Sequence, residues 1–425
     1  MLNYLKEITD LSEYVGTPAF CGVRVNPLRM TVEEFTDIAP FKTTPCRFWK
    51  YGLYIENEDK TGLHPLHFAG AYYIQEPSAM SAVTALDVKD GDKVLDCCAA
   101  PGSKATAIAP HCFLLVANEI NAQRAGALIS NIERMGISNA LVLNSDTAAL
   151  ADAFTGYFDK VLVDSPCSGE GMFRKHPDIL ENWSEELVRM CAERSKKVLS
   201  NAARCLKEGG RLVYSTCTYN LEENERLIID FLENNPDFEI TDTGLDFGAE
   251  GFLGLTKARR IFIESGGEGH FVCALTRKKG GDMRYLKPFK LSKSFDFLNG
   301  ITKPSPRFTA KGEFGVMEWQ GVKYALPYDM PNPRGVRVLR AGVKLGQMQG
   351  KIFRPEHHLF MALDKDSILL KYETPCPESF LRGEETECDP SLRGYCAVTY
   401  KGLVLGFGKA SGGRMKNHFP KGLRI

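Results

Sequence analysis

Two cysteines, Cys167 and Cys217, stand in polar turns that directly follow predicted strands. The first lies in the run Asp164-Ser-Pro-Cys-Ser-Gly169 and the second in Ser215-Thr-Cys-Thr218. A cysteine inside a protein usually packs as a small hydrophobic side chain. That interpretation suits these two poorly, because polar turn residues flank both. The pattern indicates a nucleophilic thiol with a second thiol beside it.

A thiol that acts as a nucleophile needs a cation or a helix dipole near it, because the thiolate is the reactive form. Lys104 is the predicted cation. One reaction that such a thiolate can perform is addition to carbon 6 of a cytosine ring, which would make carbon 5 electron-rich enough to accept a methyl group. Asp164 is placed to hydrogen-bond ring nitrogen N3, and a second cysteine suits the removal of the carbon 5 proton.

The run DCCAAPGSKA, from Asp96 to Ala105, leads from a predicted strand into a predicted helix. Such a turn brings backbone N–H groups close to a ligand. The GxGxxG pattern of dinucleotide sites is absent, since Gly102 is the single glycine and Pro101 precedes it. A ligand without phosphate is therefore favoured.

Acidic residues follow the next two predicted strands. Glu119 ends the second strand, where a carboxylate accepts the two hydroxyls of a ribose. Asp146 follows the third strand in Asn144-Ser-Asp146 and is placed to meet an exocyclic amine. Each acid alone is as well explained as an ordinary loop residue. Their regular order after successive strands favours a ligand site at the carboxyl edge of the sheet.

Taken in order, DCCAAPGSKA, DSPCSGEGMFRKHPD and YSTCTYNLEENE resemble the Sun family of RNA 5-methylcytosine methyltransferases. The run Gln75-Glu-Pro-Ser78 before the first strand and Gly267-Glu-Gly-His-Phe271 near the end of the domain belong to the same order. The similarity covers about residues 20 to 278. Two positions depart from the family pattern: Ser103 replaces the second glycine of the turn, and Ser165 replaces an alanine.

The resemblance implies S-adenosylmethionine as the cofactor, Cys217 as the nucleophile and Cys167 as the residue that releases the product. It also implies a cofactor-binding set drawn from the turn, the following strand ends and one helix. These residues are Cys98, Ala99, Ala100, Pro101, Gly102, Ser103, Lys104, Glu119, Arg124, Asp146 and Asp164.

The elements that position these residues follow from the alternation of short apolar runs with amphipathic stretches between residues 71 and 278. The alternation predicts an α/β fold with a parallel sheet. Five strands are expected, at 93–96, 114–119, 140–143, 160–164 and 210–216, with helices at 121–135 and 185–206. With the resemblance, this becomes a Rossmann-like S-adenosylmethionine-dependent methyltransferase domain.

Smaller regions flank that domain. Residues 1–70 are expected to form a small N-terminal α+β domain, with a strand near Phe20–Pro27 and a helix that Thr31 caps. Residues 279–305 are predicted as a linker and 306–425 as a separate β-rich region. The ending GKASGGRMKNHFPKGLRI resembles the PUA-like RNA-binding domain of the RsmF (YebU) subgroup, which acts on small-subunit 16S ribosomal RNA.

The expected partner is RNA, met by a local basic patch rather than by overall charge. The 53 basic residues equal the 53 acidic ones, so net charge is about zero. Basic residues among the aromatics Phe407, His418 and Phe419 favour phosphate contact and base stacking, although a solvated basic surface explains them too. The predicted RNA-binding residues are Arg24, Asn26, Arg174, Lys175, Arg414, Lys416 and Lys421.

The 13 cysteines form no CxxC pair, and neither a signal peptide nor a long apolar run is visible. A cytoplasmic protein with free thiols, no metal and no membrane contact is therefore expected. Nothing requires more than a monomer. His357-His358 lacks a thiol partner at ligand spacing and is predicted to be a surface or packing feature.

Three alternatives stay open. A DNA cytosine methyltransferase would use the Pro-Cys cysteine, Cys167, as nucleophile, but the second cysteine and the PUA-like ending disfavour DNA. A ribosome-assembly factor would keep an idle cofactor fold, which the presence of both cysteines disfavours. The same chemistry on transfer RNA is not excluded.

Overall fold

The computed structural model describes residues 1–56, 59–280, 284–309 and 313–425. Residues 281–283 of the predicted linker and 310–312 of the predicted β-rich region lie outside these ranges. In the described residues, none of the helices is long and apolar enough to cross a membrane.

The N-terminal region is a small α+β unit, as expected. Its four strands form one sheet in the order β2-β3-β1-β4. Its elements are α1 (Leu2–Leu5), β1 (Cys21–Val25), α2 (Val32–Ile38), β2 (Thr43–Pro45), β3 (Gly52–Ile55), α3 (Pro65–Phe68) and β4 (Tyr72–Ile74). The predicted cap of α2 is present as a capping box. The Thr31 hydroxyl accepts from the Glu34 N–H, and the Glu34 carboxylate accepts from the Thr31 N–H.

The central region alternates strands and helices. Its helices are α4 (Ser81–Leu86), α5 (Ser103–Ile108), α6 (Ala122–Arg134), α7 (Thr147–Ala153), α8 (Asp178–Asn182), α9 (Glu185–Cys205) and α10 (Glu225–Asn234). Its strands are β5 (Lys93–Asp96), β6 (Leu114–Asn118), β7 (Ala140–Leu143), β8 (Phe158–Asp164), β9 (Leu206–Thr216), β10 (Phe238–Thr241), β11 (Ala249–Glu250), β12 (Arg259–Ile261) and β13 (His270–Arg277). All five expected parallel strands are present, within a few residues of their predicted ends.

The parallel strands run in the order β9-β8-β5-β6-β7. Their central residues are apolar and buried because helices cover both faces of the sheet. The chain leaves β5 toward β6 on one side and returns to β8 on the other. The strand order therefore reverses beside β5, and ligands of open α/β sheets bind at the carboxyl ends of the strands at such a point.

The C-terminal region holds two further sheets, ordered β14-β15-β17-β18 and β19-β21-β22-β23-β20. Its strands are β14 (Phe314–Trp319), β15 (Val322–Pro327), β16 (Val338–Ala341), β17 (Val343–Gln349), β18 (Ile352–Pro355), β19 (Lys371–Glu373), β20 (Thr386–Glu387), β21 (Gly394–Tyr400), β22 (Leu403–Ser411) and β23 (Arg414–Asn417). Its helices are α11 (His357–Ala362) and α12 (Pro377–Leu381).

This region is less separate than its sequence suggests. β16 pairs antiparallel with β7 and so extends the central sheet. His358 of α11 is fully buried, and its Nε2 lies 3.0 Å from the Ile137 carbonyl of the central region. The end of the predicted linker is also packed, since Leu298 and Ile301 are buried. The C-terminal half is therefore anchored to the sheet that carries the predicted site.

Candidate active site

The site lies where β5, β8 and β9 end side by side. β8 and β9 are parallel neighbours, and Asp164 stands opposite Ser215 in their register. Cys167 and Cys217 follow these two residues in the chain, so both turns emerge at one edge of the sheet. Their sulfur atoms lie 3.4 Å apart. The structure thus brings together the two cysteines that sequence analysis singled out.

A charged pair stands beside the thiols. The Lys104 ammonium donates to Asp164 Oδ2 at 2.6 Å, and the Ser215 hydroxyl donates to Asp164 Oδ1 at 2.8 Å. Burial works against the charge of each member. The mutual attraction nevertheless holds the pKa of Lys104 above and that of Asp164 below its usual value. A thiolate at Cys217 would further favour the charged form of Lys104.

The two thiols are not equivalent. The hydrogen bond with Cys217 and then burial raise the pKa of Cys167 well above the ordinary value. Cys167 therefore holds its proton more tightly than an exposed cysteine does.

A buried hydrogen-bond network supports the turn of Cys167. The Glu223 carboxylate accepts from the Ser168 N–H at 3.0 Å and from the Asn220 amide at 2.7 Å. The Ser168 hydroxyl bonds to the Thr218 hydroxyl at 2.8 Å, which links the residues that follow the two cysteines. Burial raises the pKa of Glu223 to about 7. The network fixes the two turns relative to each other.

A second buried carboxylate, Glu170, holds the turn of Cys217. It accepts from the Tyr219 and Asn220 N–H groups, both at 2.9 Å, and from Trp183 Nε1 at 2.9 Å. The next residue, Gly171, donates its N–H to the Cys217 carbonyl at 2.9 Å. A Cβ on Gly171 would lie 3.0 Å from that carbonyl oxygen, so a side chain would force the turns apart.

The predicted cofactor turn opens toward the same edge of the sheet. Gly102 has φ +111° and is followed by α5, and a Cβ there would meet Leu128 at 3.2 Å. Ala99 donates its N–H to the Asn118 carbonyl at 2.8 Å, and Arg124 donates to the Ala100 carbonyl at 2.8 Å. Cys98 and Ser103 are half-buried, and Pro101 is exposed. Neighbouring elements therefore help to hold the turn in place.

The acids around this turn differ in burial. Glu119 is buried and accepts from the Asn121 N–H at 2.8 Å, with Arg124 Nη1 at 3.8 Å from its other oxygen. Asp146 is exposed and caps α7 by accepting from the Ala149 N–H at 2.9 Å. The cap gives Asp146 a structural role besides the predicted one.

Asp96 is a residue that the sequence analysis left out of the site. Its side chain is 1% exposed, yet neither carboxylate oxygen has a hydrogen-bond partner among the described residues. Burial and the nearby charge of Asp164 raise its pKa to about 7. Buried acceptors without donors fit a ligand that supplies donors, as the ammonium group and ribose hydroxyls of S-adenosylmethionine do. Its position at the end of the first strand, which matches that of Glu119 after the second, could have identified Asp96 as a site residue.

Other supporting residues were also missed. Glu170, Glu223, Glu268 and His270 are all buried at or near the site, and each lies within a quoted sequence run. The roles of the three glutamates were not predicted, because an acid in an exposed turn and an acid that accepts from buried N–H groups have the same sequence pattern. Only burial distinguishes the two cases.

Three predicted RNA-binding residues are wrong, because the structure buries them. Arg24 is 1% exposed and donates to Thr106 Oγ1 at 2.7 Å and to the Ser103 carbonyl at 3.0 Å. Asn26 is fully buried and donates to the Gly70 and Met135 carbonyls. Both residues join the N-terminal unit to the central region, and Arg24 holds the first turn of α5.

The third of these residues, Arg174, has a side chain that is 5% exposed. It forms a bidentate ion pair with the fully buried Glu268 and donates to the Pro18 carbonyl at 3.0 Å. Glu268 also accepts from the Phe20 N–H at 2.6 Å. Arg174 therefore ties the segment after Cys167 to the N-terminal unit, and its charge is not available to a phosphate.

The remaining predicted RNA contacts are more open. Lys175 is half-buried in the turn after Arg174. Arg414, Lys416 and Lys421 are exposed at the C-terminal end of the chain. Phe407 and Phe419, which the sequence pattern offered as stacking surfaces, are instead buried in the core, while His418 is half-buried.

Comparison with protein families agrees with this organisation. Residues 83–276 match the model described as 16S rRNA methyltransferase RsmB/F. Residues 1–77, 305–363 and 377–425 match the N-terminal domain, the first C-terminal domain and the PUA domain of RsmF. A crystal structure of a methyltransferase homologue from Pyrococcus horikoshii is similar, with a TM-score of 0.56 and 25% identity, over 65% of this chain and 98% of that chain. The cofactor of this methyltransferase family is S-adenosylmethionine, as the resemblance implied.

Two curated relatives match nearly the whole chain, and both are named ribosomal RNA small subunit methyltransferase F. The protein from Enterobacter sp. (strain 638) is 33% identical over 95% of this chain and 89% of its own length. The protein from Aliivibrio fischeri (strain MJ11) is 34% identical over 97% of this chain and 94% of its own length. The chain therefore belongs to the RsmB/F family of 16S rRNA methyltransferases and carries the N-terminal, first C-terminal and PUA domains of RsmF.

Proposed function

We propose that this chain methylates carbon 5 of a cytosine in small-subunit ribosomal RNA, through a covalent Cys217–cytosine adduct that Cys167 helps to release. The observation that supports the proposal most directly is the pair of thiols, with sulfurs 3.4 Å apart, at the edge where the cofactor turn opens. Two thiols so close can act in turn on one ring. Methylation of a nitrogen or a hydroxyl has no need of them.

Each residue has a role that its surroundings support. The Cys217 thiolate adds to carbon 6, and the positive charge of Lys104 stabilises the thiolate before addition. Addition of the thiolate places electron density on ring nitrogen N3, which takes up the proton that Cys217 gave up. Asp164 is ionised and accepts the resulting N3–H hydrogen bond. Bound S-adenosylmethionine supplies the methyl group to carbon 5.

Release needs a base. Once Cys217 is bonded to carbon 6, its hydrogen bond no longer holds the proton of Cys167, and Cys167 passes that proton to water. The Cys167 thiolate then takes the proton from carbon 5, and the electrons of that C–H bond restore the ring double bond. Cys217 leaves carbon 6 and regains the proton held at N3. Burial, which also raises the pKa of Cys167, keeps its thiolate a strong base. The network through Ser168 and Glu223 keeps this sulfur beside the adduct.

The target base must leave its stack to reach an edge that lies at the ends of buried strands. We propose that the exposed cations Arg414, Lys416 and Lys421, together with Lys175, contact the RNA backbone. An RNA held at several phosphates positions the flipped cytosine without a sequence-reading contact at each one.

Separate replacement of the two cysteines tests the assignment. Purified Cys217→Ala should form no adduct with small-subunit RNA and transfer no methyl group. Cys167→Ala should accumulate an enzyme–RNA adduct that survives denaturing electrophoresis, and its turnover should fall by about 10²–10⁴-fold. An adduct in Cys217→Ala that is lost in Cys167→Ala would reverse the two roles.

Mapping of 5-methylcytosine by bisulfite sequencing, with and without the gene, tests the substrate. We expect one or more small-subunit positions to lose the modification. Loss in transfer RNA alone would move the substrate to that class. Unchanged methylation in every RNA would favour a ribosome-assembly role without catalysis.

A further inference from the structure

The C-terminal sheet formed by β19, β21, β22, β23 and β20 carries a row of polar and cationic side chains on one face. In the register of β21, β22 and β23, Tyr395 stands opposite Lys409, and Lys409 stands opposite Lys416. His418 packs against Phe407, with ring centroids 5.2 Å apart and planes at 22°. Side chains two apart on a strand share a face, so this whole set points the same way.

The placement of Lys409 opposite Lys416 is unfavourable for the fold alone. Like charges in directly opposed positions of a sheet repel each other. Neither lysine forms an ion pair with an acid in the part of the chain that the structure describes. A sheet that keeps two opposed, unpaired cations is suited to a ligand that brings negative charge to both.

A cavity of about 300 Å³ lies between this face and the strands β17 and β18. Tyr395 and His418 line one side, and Gln347, Gln349 and Arg354 line the other. Gln347 stands opposite Arg354 in the register of the two strands, so the amide and guanidinium groups share one face. The volume is at the lower end of the range for small-molecule pockets. We call this cavity the C-terminal pocket.

The lining combines flat rings with hydrogen-bonding groups. The Lys409 ammonium lies 5.4 Å from the centroid of the Tyr395 ring. Burial, and then the charges of Lys416, Lys409 and Arg354, lower the pKa of His418, so its ring stays neutral at pH 7. Glu356 is the acid in the lining, and Lys344 neutralises it at 2.8 Å. His357, which is buried, adds an Nδ1 without a partner among the described residues.

We infer that the C-terminal pocket binds one unstacked nucleotide of single-stranded RNA. The base lies against Tyr395 and His418, its edge meets the amides of Gln347 and Gln349, and the flanking phosphates lie on Lys409, Lys416 and Arg354. Aromatic stacking plus cations is the combination with which proteins hold single strands. The inference rests on the proposed function in that RNA is the substrate.

The test compares Tyr395→Ala with the matched control Tyr395→Phe, both in the full chain. Binding of a fluorescein-labelled 12-nucleotide single-stranded RNA of mixed sequence is followed by anisotropy at several KCl concentrations. Loss of stacking should weaken binding of Tyr395→Ala by about 5- to 100-fold. Tyr395→Phe should bind as the parent does, and a duplex of the same length should bind all three proteins alike.

A second variant separates stacking from charge. Lys409→Gln should lower the slope of log affinity against log salt by about 0.7, the value for one lost phosphate contact on a single strand. Unchanged thermal unfolding and unchanged binding of S-adenosylhomocysteine show that each variant is folded. Equal affinities of Tyr395→Ala and the parent would overturn the inference, as would an equal loss on duplex RNA or no binding by the parent.

The outcomes stay distinct from those of the proposed chemistry. RNA binding is measured without methyl transfer, so an inactive Cys217 would leave the pocket result unaffected. Conversely, Tyr395→Ala should retain its turnover at saturating RNA and lose affinity alone. A fall in turnover at saturation with unchanged affinity would contradict the inference while leaving the cysteine mechanism intact.

Discussion

The edge of the central sheet that carries Cys167 and Cys217 differs from the face of the C-terminal sheet that carries Lys409 and Lys416 in how its charges are paired. Beside the two thiols, Lys104 is paired with Asp164, and Arg260 is paired with Glu225 in the core behind them. On the C-terminal face, Lys409 and Lys416 are exposed, opposed and unpaired within the described residues. The difference shows that the charges beside the thiols form ion pairs that fix the positions of side chains. The charges of the C-terminal face remain available to a ligand.

The largest expected effect is the loss of stability on replacing a buried, paired cation, as in Arg260→Met. The Arg260 and Glu225 side chains are 2% and 0% exposed, and the guanidinium also donates to the Tyr219 carbonyl at 2.7 Å. Loss of one partner leaves a buried charge, so the free energy of unfolding should fall by about 3–5 kcal/mol. Urea unfolding measures it. The exposed pair of Arg226 with Glu222 is the control, since Arg226→Met should cost at most about 1 kcal/mol.

The next prediction concerns pH and Asp96. Because its folded pKa of about 7 lies above the unfolded value, its contribution to stability is present at low pH and is lost as pH rises through about 7. Asp96→Asn removes that loss, so at pH 8 the ligand-free variant should be more stable than the parent by up to about 4 kcal/mol.

Thermal unfolding of both proteins between pH 5 and pH 8 gives the measurement. Buried His67 and His270 have lowered pKa values of about 3 and act with the opposite sign, since they lose stability as pH falls below about 6.5. The difference between parent and variant cancels that contribution. A difference that does not grow from pH 5 to pH 7 would contradict the assignment to Asp96.

A smaller effect is expected from Glu223→Gln, which keeps one acceptor of the network behind Cys167. One of the buried donors on Ser168 or Asn220 loses its partner, at a cost of about 1–3 kcal/mol. Because Ser168 follows Cys167, turnover should fall more than affinity for RNA. Single-turnover kinetics with the variant and the parent distinguish the two. An affinity loss with unchanged turnover would place Glu223 in RNA binding instead.

The smallest expected effect concerns the exposed lysines of the C-terminal face. Lys416→Ala removes the repulsion with Lys409, so stability should stay equal or rise by about 0.2–1 kcal/mol. RNA affinity should fall in the same variant, because a phosphate contact is lost. Paired measurements of urea unfolding and RNA binding test these opposite signs. A clear loss of stability would show that Lys416 supports the fold.

Much of the fold follows from local sequence pattern. Each of the five parallel strands contains a short apolar run, and the long helices are amphipathic, so their places were predicted to within a few residues. The boundary of the C-terminal region was predicted less well. β16 carries no signal that it pairs with β7 rather than with its own neighbours, since strand pairing is a long-range choice.

Some residues of the site were likewise predicted from local pattern, and others were not. Cys167 and Cys217 were recognised because polar turns after strands of one sheet emerge at one edge. Arg24, Asn26 and Arg174 were mistaken for RNA contacts, since a cation beside a turn has the same sequence pattern whether it faces solvent or a buried carboxylate. Asp96 was overlooked because its missing hydrogen bonds are visible only in three dimensions.

The sequence by itself determined the parallel sheet, the order of the motifs and the placement of Cys167 and Cys217 after strands of that sheet, because these depend on residue type and local spacing. Only the tertiary structure decided which charges are paired and buried and which stay exposed. Pairing depends on residues far apart in the chain, as Arg174 and Glu268 are, and burial is a property of the packed whole.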